Sequence, residues 1–516
     1  MFRTGDNEAS SYESETRQLA RGGGLLFVGQ IAYRLLLAGG MALMANLLGA
    51  TQFGLFALAR SAVRVLQPLL TLGLPGGVVR YIAIYDAEGR PDKVKGTVRL
   101  SVMLVTLTGC AAAVLLWFIA PRAAQQLFHK PDLAEPLRIM SIAIPFVILG
   151  QVLGQCTIGR KRAGSYTASL VSFAAALPLC FLLIYYLSDA AAVEAVVSFI
   201  VATAAAAAVA AWGVMVLFPE LRDREIPTTS PIGPVLAFSA PLMLTDLSNL
   251  GIYQVNAFLA GIWVNSDLVG AYTMVSYIAF FGTVGLVAVR AIFRPTIAHL
   301  YSQAKTSQLK DLFRTTTRWG ALLGLPMLAF IAIEADAILR IVGDEYVMAA
   351  WPLRILCIGQ AVNIITGPVS QILTMTGHQW QDLANTVVMA IANITLCVVL
   401  TPAYLITGTA LAAGIAVGAA NIARLGQVWY HVRIWPYDIS TVKPLLSTLV
   451  AVGVLLLFHS QGLLWLAVKL AVFSAVVLAV YVALGLEKDD SMVLAALRRR
   501  LRPGESLTTD QPPDSP

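Results

Sequence analysis

The sequence has 516 residues, of which 58% are hydrophobic and 13% are charged, and its formal net charge is +7 at pH 7. Soluble globular domains are about 25% charged, so this composition excludes a soluble globular protein. A hydrocarbon core is crossed by about 20 apolar helical residues, and such segments follow one another along most of the chain. The sequence therefore predicts an all-α integral membrane protein.

The predicted elements begin after a polar N-terminal segment, residues 1–22, which lacks the basic start and apolar core of a cleavable signal peptide. We therefore expect the first apolar span to direct insertion. After the last span, DDSMVLAALRRRLRP is typical of a basic interfacial helix. About fourteen transmembrane helices are predicted from the hydrophobic pattern, at 25–47, 53–79, 100–120, 137–158, 165–187, 192–217, 235–262, 268–293, 319–342, 353–375, 382–403, 408–430, 444–459 and 465–486.

Lysine and arginine are distributed unevenly between the two sides of the membrane. With a cytoplasmic N-terminus, and with Arg138, Arg340, Arg354 and Arg424 counted on the side of the membrane nearest to them, 26 of the 36 basic residues are cytoplasmic, five fall on the opposite side and five lie inside spans. Because basic residues accumulate on the cytoplasmic side, we expect a multi-pass protein of the plasma or inner membrane with both termini cytoplasmic.

The chain also contains an internal repeat with an offset of 216 residues. PLRIM at 136–140 recurs as PLRIL at 352–356, and the segment around Gly54 has a weaker sequence similarity to the segment around Gly270. Each unit holds six spans, and an even number of spans gives parallel repeats, which we expect to form an N-lobe and a C-lobe around a central cavity. The predicted organisation is a cytoplasmic segment at 1–22, the N-lobe at 23–217, a cytoplasmic linker at 218–233, the C-lobe at 234–430, two extra helices at 431–486 and a cytoplasmic tail at 487–516.

A polar stripe runs along predicted span 2. Arg60, Arg64, Gln67 and Thr71 follow a spacing of four, three and four residues, which puts them on one helical face. An isolated arginine inside a bilayer costs roughly 3 kcal/mol on insertion scales, so such residues usually face a partner or a watery cavity. We expect this stripe to face the central cavity.

Related stripes occur in three other spans. Span 1 carries Arg34, and span 8 carries Ser276 and Thr283 with Arg290 seven residues further on. The stripe of span 7 contains Asp246, Asn249, Tyr253 and Asn256. The predicted cavity is therefore cationic in the N-lobe and mixed in the C-lobe.

Two of these charges have a second interpretation. Arg290 lies near the cytoplasmic end of its span and could snorkel to the lipid head groups. Asp246 could be an internal counter-ion for an arginine such as Arg34, or it could serve in ion coupling. Lys469, near the start of the last span, is interpreted as a snorkelling residue, and Glu334 as an interfacial one.

Three stretches carry a family resemblance: ARGGGLLFVGQ opening span 1, LLGATQFGLFALARS leading into span 2, and LGLPGGVVRYIA after it. With the six-plus-six-plus-two arrangement, they resemble polysaccharide flippases of the Wzx type, in the multidrug/oligosaccharidyl-lipid/polysaccharide (MOP) exporter superfamily. The resemblance extends from about residue 20 to 486.

What the resemblance implies is a flippase that moves a polyprenyl-pyrophosphate-linked oligosaccharide from the cytoplasmic to the outer leaflet by ion-coupled alternating access. The implied partners are that lipid-linked glycan, a proton or sodium ion, membrane lipids and the glycosyltransferases or polymerase of the same pathway. We assign Arg34, Arg60 and Arg64 to the pyrophosphate, Arg290 to capture near the cytoplasmic mouth, and Asp246 to ion coupling. The residues assigned to sugar hydroxyls are Gln67, Asn249, Tyr253, Asn256, Ser276 and Thr283.

Other functions stay open at this point. A lipid II-type flippase would share the cationic cavity, whereas a multidrug antiporter of the same superfamily would be expected to carry acidic residues in its N-lobe cavity. A membrane glycan polymerase or ligase typically has a long extramembrane loop with catalytic residues, and the longest outer connection here, around 121–136, is short. The sequence has no GxxxxGK[ST] motif and no metal-ligand spacing among its five histidines, so we expect a transporter and not an enzyme, with no cofactor, no metal and no nucleic-acid partner.

Overall fold

The computed structural model describes residues 5–187, 191–253, 255–283, 297, 300–301, 303–458 and 462–487, with side chains from residue 29 onward except those of 163, 252, 253 and 463. Arg290 and the DDSMVLAALRRRLRP segment lie outside these residues. The described chain is all-α. Its helices are α1 (Gly5–Leu70), α2 (Leu74–Ala87), α3 (Pro91–Arg122), α4 (Ala134–Met140), α5 (Ala143–Gly159), α6 (Ala163–Tyr185), α7 (Ala192–Leu217), α8 (Ile232–Tyr253), α9 (Val255–Trp263), α10 (Ser266–Phe281), α11 (Thr306–Ile333), α12 (Ala335–Val342), α13 (Ala350–Ile365), α14 (Val369–Met375), α15 (Gln379–Val432), α16 (Ile439–Leu455) and α17 (Leu463–Ala483), with single short turns of 3₁₀- or π-helix at Ala123–Leu127, Pro131–Leu133, Pro219–Leu221 and Asp344–Ala349.

The two longest helices, α1 and α15, each fold back on themselves. Within α15 the side-chain amides of Asn385 and Gln427 exchange hydrogen bonds of 2.6 and 3.1 Å, although 42 residues of straight helix would separate them by about 63 Å. The reversal occurs at Leu405, with φ of 52° and ψ of −140°. In α1 it occurs at Gly49, whose φ of 73° favours a residue without Cβ. Each long helix therefore contains two antiparallel segments.

All fourteen predicted spans coincide at least in part with described helices. Among the residues that the structure describes, eight helices are long and apolar enough to cross a membrane, and two bent pairs raise this number to ten. The hairpins α1 and α15 account for two spans each, and the remaining predicted spans overlap α10 and α16. The all-α membrane fold is thus confirmed for the part of the chain that the structure describes.

Several predicted spans are broken, which the sequence pattern did not indicate. Predicted span 2 continues past the end of α1, but the helix stops at Leu70 and resumes at Leu74, with positive φ angles of 54° at Leu72 and 67° at Gly73. A Cβ on Gly73 would lie 2.1 Å from the Ser239 carbonyl oxygen, so the close approach of α8 requires this glycine. Predicted span 4 is similarly divided into α4 and α5, which are bent by 42°.

The N-lobe and C-lobe share one hydrophobic core. It contains Phe53 and Phe56 of α1 together with Tyr346 and Leu353 of the C-lobe, all of them at most 1% exposed. We call the end of the bundle with the reversals at Gly49 and Leu405 the turn side, and the opposite end, with residues 218–231, the linker side.

On the turn side, the α1 reversal contacts the segment 342–346 of the C-lobe. Asn46 Nδ2 donates to the Val342 carbonyl at 2.6 Å, and the Tyr346 hydroxyl donates to the Ala45 carbonyl at 2.8 Å. The carboxylate of Glu345 accepts the backbone N–H of Ala50 at 2.6 Å, which caps the second segment of α1 from the other lobe. These contacts join the lobes at this end.

On the linker side, the connection between the lobes is held against the start of α3. Lys95, 2% exposed, donates from Nζ to the carbonyls of Asp223 (2.5 Å) and Ile226 (2.8 Å). A Cβ on Gly96 would lie 2.0 Å from the Thr229 carbonyl oxygen, so the linker backbone lies directly on the helix. The linker is therefore attached to the N-lobe up to Thr229.

The two extra helices dock through a buried ion pair that corrects the snorkelling interpretation of Lys469. Its Nζ lies 2.9 Å from Glu334 Oε1, and the two side chains are 8% and 11% exposed. Phe330 and Phe473 pack beside this pair with ring centroids 5.6 Å apart. Lys469 is thus turned into the protein and Glu334 is its partner, since a charge removed from water needs an opposite charge to offset its desolvation.

Candidate functional site

A central cavity lies where the second segment of α1 faces α9 and α10, and thus between the two lobes. Its volume is about 120 Å³. The thirteen lining residues are Phe53, Phe56, Ala57, Arg60, Ser61, Arg64, Asn256, Ala257, Tyr272, Thr273, Ser276, Tyr277 and Phe280. Two of these are cationic and none is acidic, so the lining carries net positive charge.

Arg60 is the most deeply buried charge in this lining, with 4% of its surface exposed. Its Nη1 donates to the Tyr277 hydroxyl, and its guanidinium carbon lies 5.7 Å from the Phe199 ring centre and 5.6 Å from that of Tyr277. Nε and Nη2 are buried and have no hydrogen-bond partner among the residues that the structure describes. An unsatisfied buried donor is unfavourable by about 1–3 kcal/mol, more for a charged group, so this guanidinium is suited to an added acceptor.

The C-lobe wall of the cavity is neutral and polar. Asn256, 5% exposed, donates to the Tyr272 hydroxyl at 3.2 Å and accepts from Asn393 Nδ2 at 2.7 Å. The same Asn393 amide donates to the Gly251 carbonyl at 2.7 Å, near the break between α8 and α9. Thr273 Oγ1 is buried and finds no hydrogen-bond partner within the described ranges. This wall can offer both donors and acceptors to a neutral polar group.

A smaller pocket of about 30 Å³ extends the cavity into the C-lobe between α10, α13 and α15. It shares Asn256 and Ser276 with the central cavity and adds Gln360 and the glycines Gly359 and Gly414. Its size is that of one or two water molecules.

The structure brings four of the predicted site residues together in the central cavity: Arg60, Arg64, Asn256 and Ser276. Gln67 instead donates to Gln151 Oε1 at 2.7 Å inside the N-lobe, and Thr283 donates to the Phe280 carbonyl at 2.7 Å. The two therefore use their polar atoms on protein neighbours.

The other predicted site residues do not line either cavity, or lie outside the described residues. Arg34 and Asp246 are half-buried elsewhere and Asn249 is exposed. Tyr253 ends α8, but its side chain, like all of Arg290, is outside the described part of the chain.

Sequence reasoning missed Tyr277 and Phe199, whose rings flank Arg60. Tyr277 directly follows the stripe residue Ser276, but adjacent helical positions face different directions, so the spacing did not select it. For Phe199, on α7, the sequence carries no signal. Among the described residues, no group of three or more His, Cys, Asp or Glu side chains is arranged to hold a metal.

Solved structures with a similar fold include transporters and a flippase. The lipid II flippase MurJ in an inward closed conformation is 14% identical, with a TM-score of 0.68, and the match covers 92% of this chain and 100% of that one. An inward-facing multidrug resistance MATE family transporter is 14% identical, with a TM-score of 0.62 over 79% and 94% of the two chains. A MOP superfamily transporter from Pyrococcus furiosus gives a TM-score of 0.57 at 14% identity over 81% and 95%.

The two-lobed helical fold is therefore similar to that of these transporters and flippases. MatE matches residues 241–399, in the second repeat. The polysaccharide biosynthesis protein family matches residues 19–300, more than half of the sequence, and the chain belongs to that family. No curated protein matches the chain.

Proposed function

We propose that this protein is a flippase that moves a polyprenyl-pyrophosphate-linked oligosaccharide from the cytoplasmic to the outer leaflet by ion-coupled alternating access. The observation that carries the proposal is the state of Arg60, a buried guanidinium between the lobes with two nitrogens that have no partner in the described part of the chain. Arg64 lines the same cavity, and none of the described lining residues is a carboxylate. This arrangement is suited to a multiply charged anion.

The pyrophosphate is the part of the cargo that the arginines would recognise. Guanidinium groups bind phosphate oxygens through two parallel N–H donors, and such charge-assisted hydrogen bonds are roughly twice as strong as neutral ones. Within the bilayer the anion would otherwise lose its hydration without compensation. Arg60 and Arg64 would thus offset the cost of moving the head group through the apolar core of the membrane.

The sugars would contact the polar C-lobe wall. Asn256 and Ser276 line both the central cavity and its extension, within reach of hydroxyl groups that accept and donate hydrogen bonds. The polyprenyl tail would stay in the lipid, outside the bundle.

The cargo can enter only if the lobes separate. A volume of about 120 Å³ is well below the roughly 300–1,000 Å³ of sites for drug-sized ligands. In the proposed cycle the contacts of Tyr346 and Glu345 on the turn side open toward the outer leaflet, and the contact of Gly73 with α8 opens toward the cytoplasm. Asp246 remains the predicted ion-coupling residue.

Two alternatives belong to the same superfamily. A lipid II-type flippase would use the same anionic head-group chemistry and differs in its sugar. A multidrug antiporter for cationic drugs is disfavoured by the positive lining around Arg60 and Arg64. A glycan polymerase or ligase, from a different class, would lengthen the glycan instead of moving it.

The test is a flipping assay with the purified protein in liposomes that contain a fluorescent polyprenyl-pyrophosphate-linked oligosaccharide. We expect Arg60→Ala and Arg64→Ala to slow flipping at least tenfold, since a hydrogen bond to a charged group contributes about 1.5–3 kcal/mol. Arg162→Ala, at an exposed arginine outside the cavity, is the matched control and should flip like the wild type.

Flipping at the wild-type rate by both cavity variants would contradict the proposal. A lengthened glycan product would indicate a polymerase instead.

A further inference from the structure

We infer that Tyr277 is a positioning residue that orients Arg60 for two-point contact with a phosphate group, and that it does so only while the two lobes are together. The inference rests on the proposed function, because it concerns the same anion. It adds a residue of the C-lobe to the pyrophosphate site and links the affinity of that site to the arrangement of the lobes.

The first step is the direction of the hydrogen bond. A guanidinium has five N–H donors in a fixed plane, and the N–H groups of Nε and Nη2 run parallel along one edge. The Tyr277 hydroxyl accepts a hydrogen bond from Arg60 Nη1, which lies outside that edge. Nε and Nη2 are the two nitrogens for which the described residues provide no partner. Tyr277 therefore binds the one guanidinium nitrogen that a phosphate bound at this edge would not contact.

The second step is the rotational freedom of the guanidinium. Its carbon lies 5.7 Å from the Phe199 ring centre and 5.6 Å from the Tyr277 ring centre, so aromatic rings of both lobes contact it. A side chain held in its binding geometry loses less conformational entropy when the ligand arrives. While the lobes are together, the Tyr277 hydroxyl and ring thus hold the edge of Arg60 in the geometry that a bound anion requires.

The third step is that these contacts belong to different lobes. Arg60 and Phe199 lie in the N-lobe, on α1 and α7, whereas Tyr277 lies in the C-lobe, on α10. Separation of the lobes would leave Phe199 beside the guanidinium and remove Tyr277 with its hydrogen bond. The anion site is therefore ordered when the lobes are together and loosened when they part, which favours release on the side that opens.

The experiment measures binding of farnesyl pyrophosphate to the purified full-length protein in detergent by calorimetry, with farnesol as the uncharged comparison. The variants are Tyr277→Phe, which keeps the ring and loses the hydroxyl, Tyr277→Leu, which loses both, Arg60→Ala, and Arg60→Ala combined with Tyr277→Phe. Tyr437→Phe is the matched control, because its hydroxyl donates to the Ile365 carbonyl at 3.3 Å, away from the cavity.

We expect Tyr277→Phe to weaken farnesyl pyrophosphate binding about threefold to tenfold, as for the loss of one net hydrogen bond, and Tyr277→Leu to weaken it further. Tyr437→Phe should bind like the wild type. In the Arg60→Ala background Tyr277→Phe should have no further effect, a coupling that a purely structural role for Tyr277 would not produce. A thermal unfolding curve for each variant reports whether it is folded.

Different results would contradict the pyrophosphate site at Arg60 and the positioning role of Tyr277. Wild-type binding by Arg60→Ala would contradict the pyrophosphate site itself. Loss of binding in Arg60→Ala with wild-type affinity in both Tyr277 variants would overturn the positioning role and leave the proposed function standing. An equal effect of Tyr277→Phe with and without Arg60 would also overturn the positioning role.

Discussion

Gly54 and Gly270, which are equivalent positions of the two repeats, lie against each other where the second segment of α1 meets α10. A Cβ on Gly54 would lie 1.7 Å from the Ser266 carbonyl oxygen, and one on Gly270 would lie 2.4 Å from that of Ala50 and 3.2 Å from Gly54 Cα. Two equivalent points can touch only near the axis that relates the repeats. The axis between the lobes therefore passes close to this contact, on the turn side of the central cavity.

This contact predicts the effect of adding one methyl group. Gly54→Ala should destabilise the protein by about 1–3 kcal/mol or more, because the added Cβ would force the two backbones apart. The change should lower the midpoint of thermal unfolding in detergent. Gly39→Ala is the control on the same helix, since nothing lies within 4 Å of its added Cβ and alanine has the higher helix propensity. An unchanged midpoint for Gly54→Ala would contradict the close packing of the lobes here.

A second prediction concerns Glu345, which caps the second segment of α1 from the opposite lobe. Glu345→Ala should cost about 0.5–2 kcal/mol, as for the loss of a helix N-cap, and should weaken the closure of the turn side. The measurement is the labelling rate of a cysteine introduced at Ala57, in the central cavity, by a membrane-impermeant maleimide. We expect faster labelling in Glu345→Ala and no change in Asp344→Ala, its exposed neighbour. Equal labelling in both would indicate that the cap does not hold the lobes together.

A third prediction follows from the buried pair of Lys469 and Glu334. Lys469→Met should destabilise the protein by about 3–5 kcal/mol, because it leaves the carboxylate of Glu334 buried without its partner. Adding Glu334→Gln should recover a large part of that loss. Thermal unfolding checks both variants, with Lys443→Met as the control, since the Lys443–Glu487 pair is more exposed. A double variant no more stable than Lys469→Met would argue against the pairing.

The fourth prediction concerns the linker that connects the lobes. Lys95→Met removes two charged hydrogen bonds to the linker backbone, each contributing about 1.5–3 kcal/mol, so the linker should detach from α3 more often. Limited trypsin digestion should then cleave after the exposed Arg222 or Arg224 several times faster than in the wild type. Lys93→Met, two residues away, should be cleaved at the wild-type rate, because Lys93 contacts the Tyr85 ring instead. Unchanged cleavage in Lys95→Met would mean that other contacts hold the linker.

The candidate site was only partly predictable from helical spacing. Arg60, Arg64 and Gln67 share a helical face, but the first two line the cavity and Gln67 bonds to Gln151. Helical periodicity shows which residues share a face of a helix but not which other helices that face contacts. Because helices cross at an angle, one face contacts different helices at different depths in the membrane. The same limit explains why Tyr277 was missed, because the contact with Arg60 depends on the crossing of two helices from different repeats.

The sequence by itself determined the membrane location, the all-α class, the repeat and the N-lobe arginines, because each depends on hydrophobic runs, residue spacing or self-similarity along the chain. The tertiary structure decided where the spans break, which stripe residues meet, and that Arg60 is held between Phe199 and Tyr277 while Lys469 turns inward to Glu334. These features depend on how closely two backbones approach and on which side chains are brought together. Both depend on contacts between residues that are distant along the chain, which the local residue pattern does not indicate.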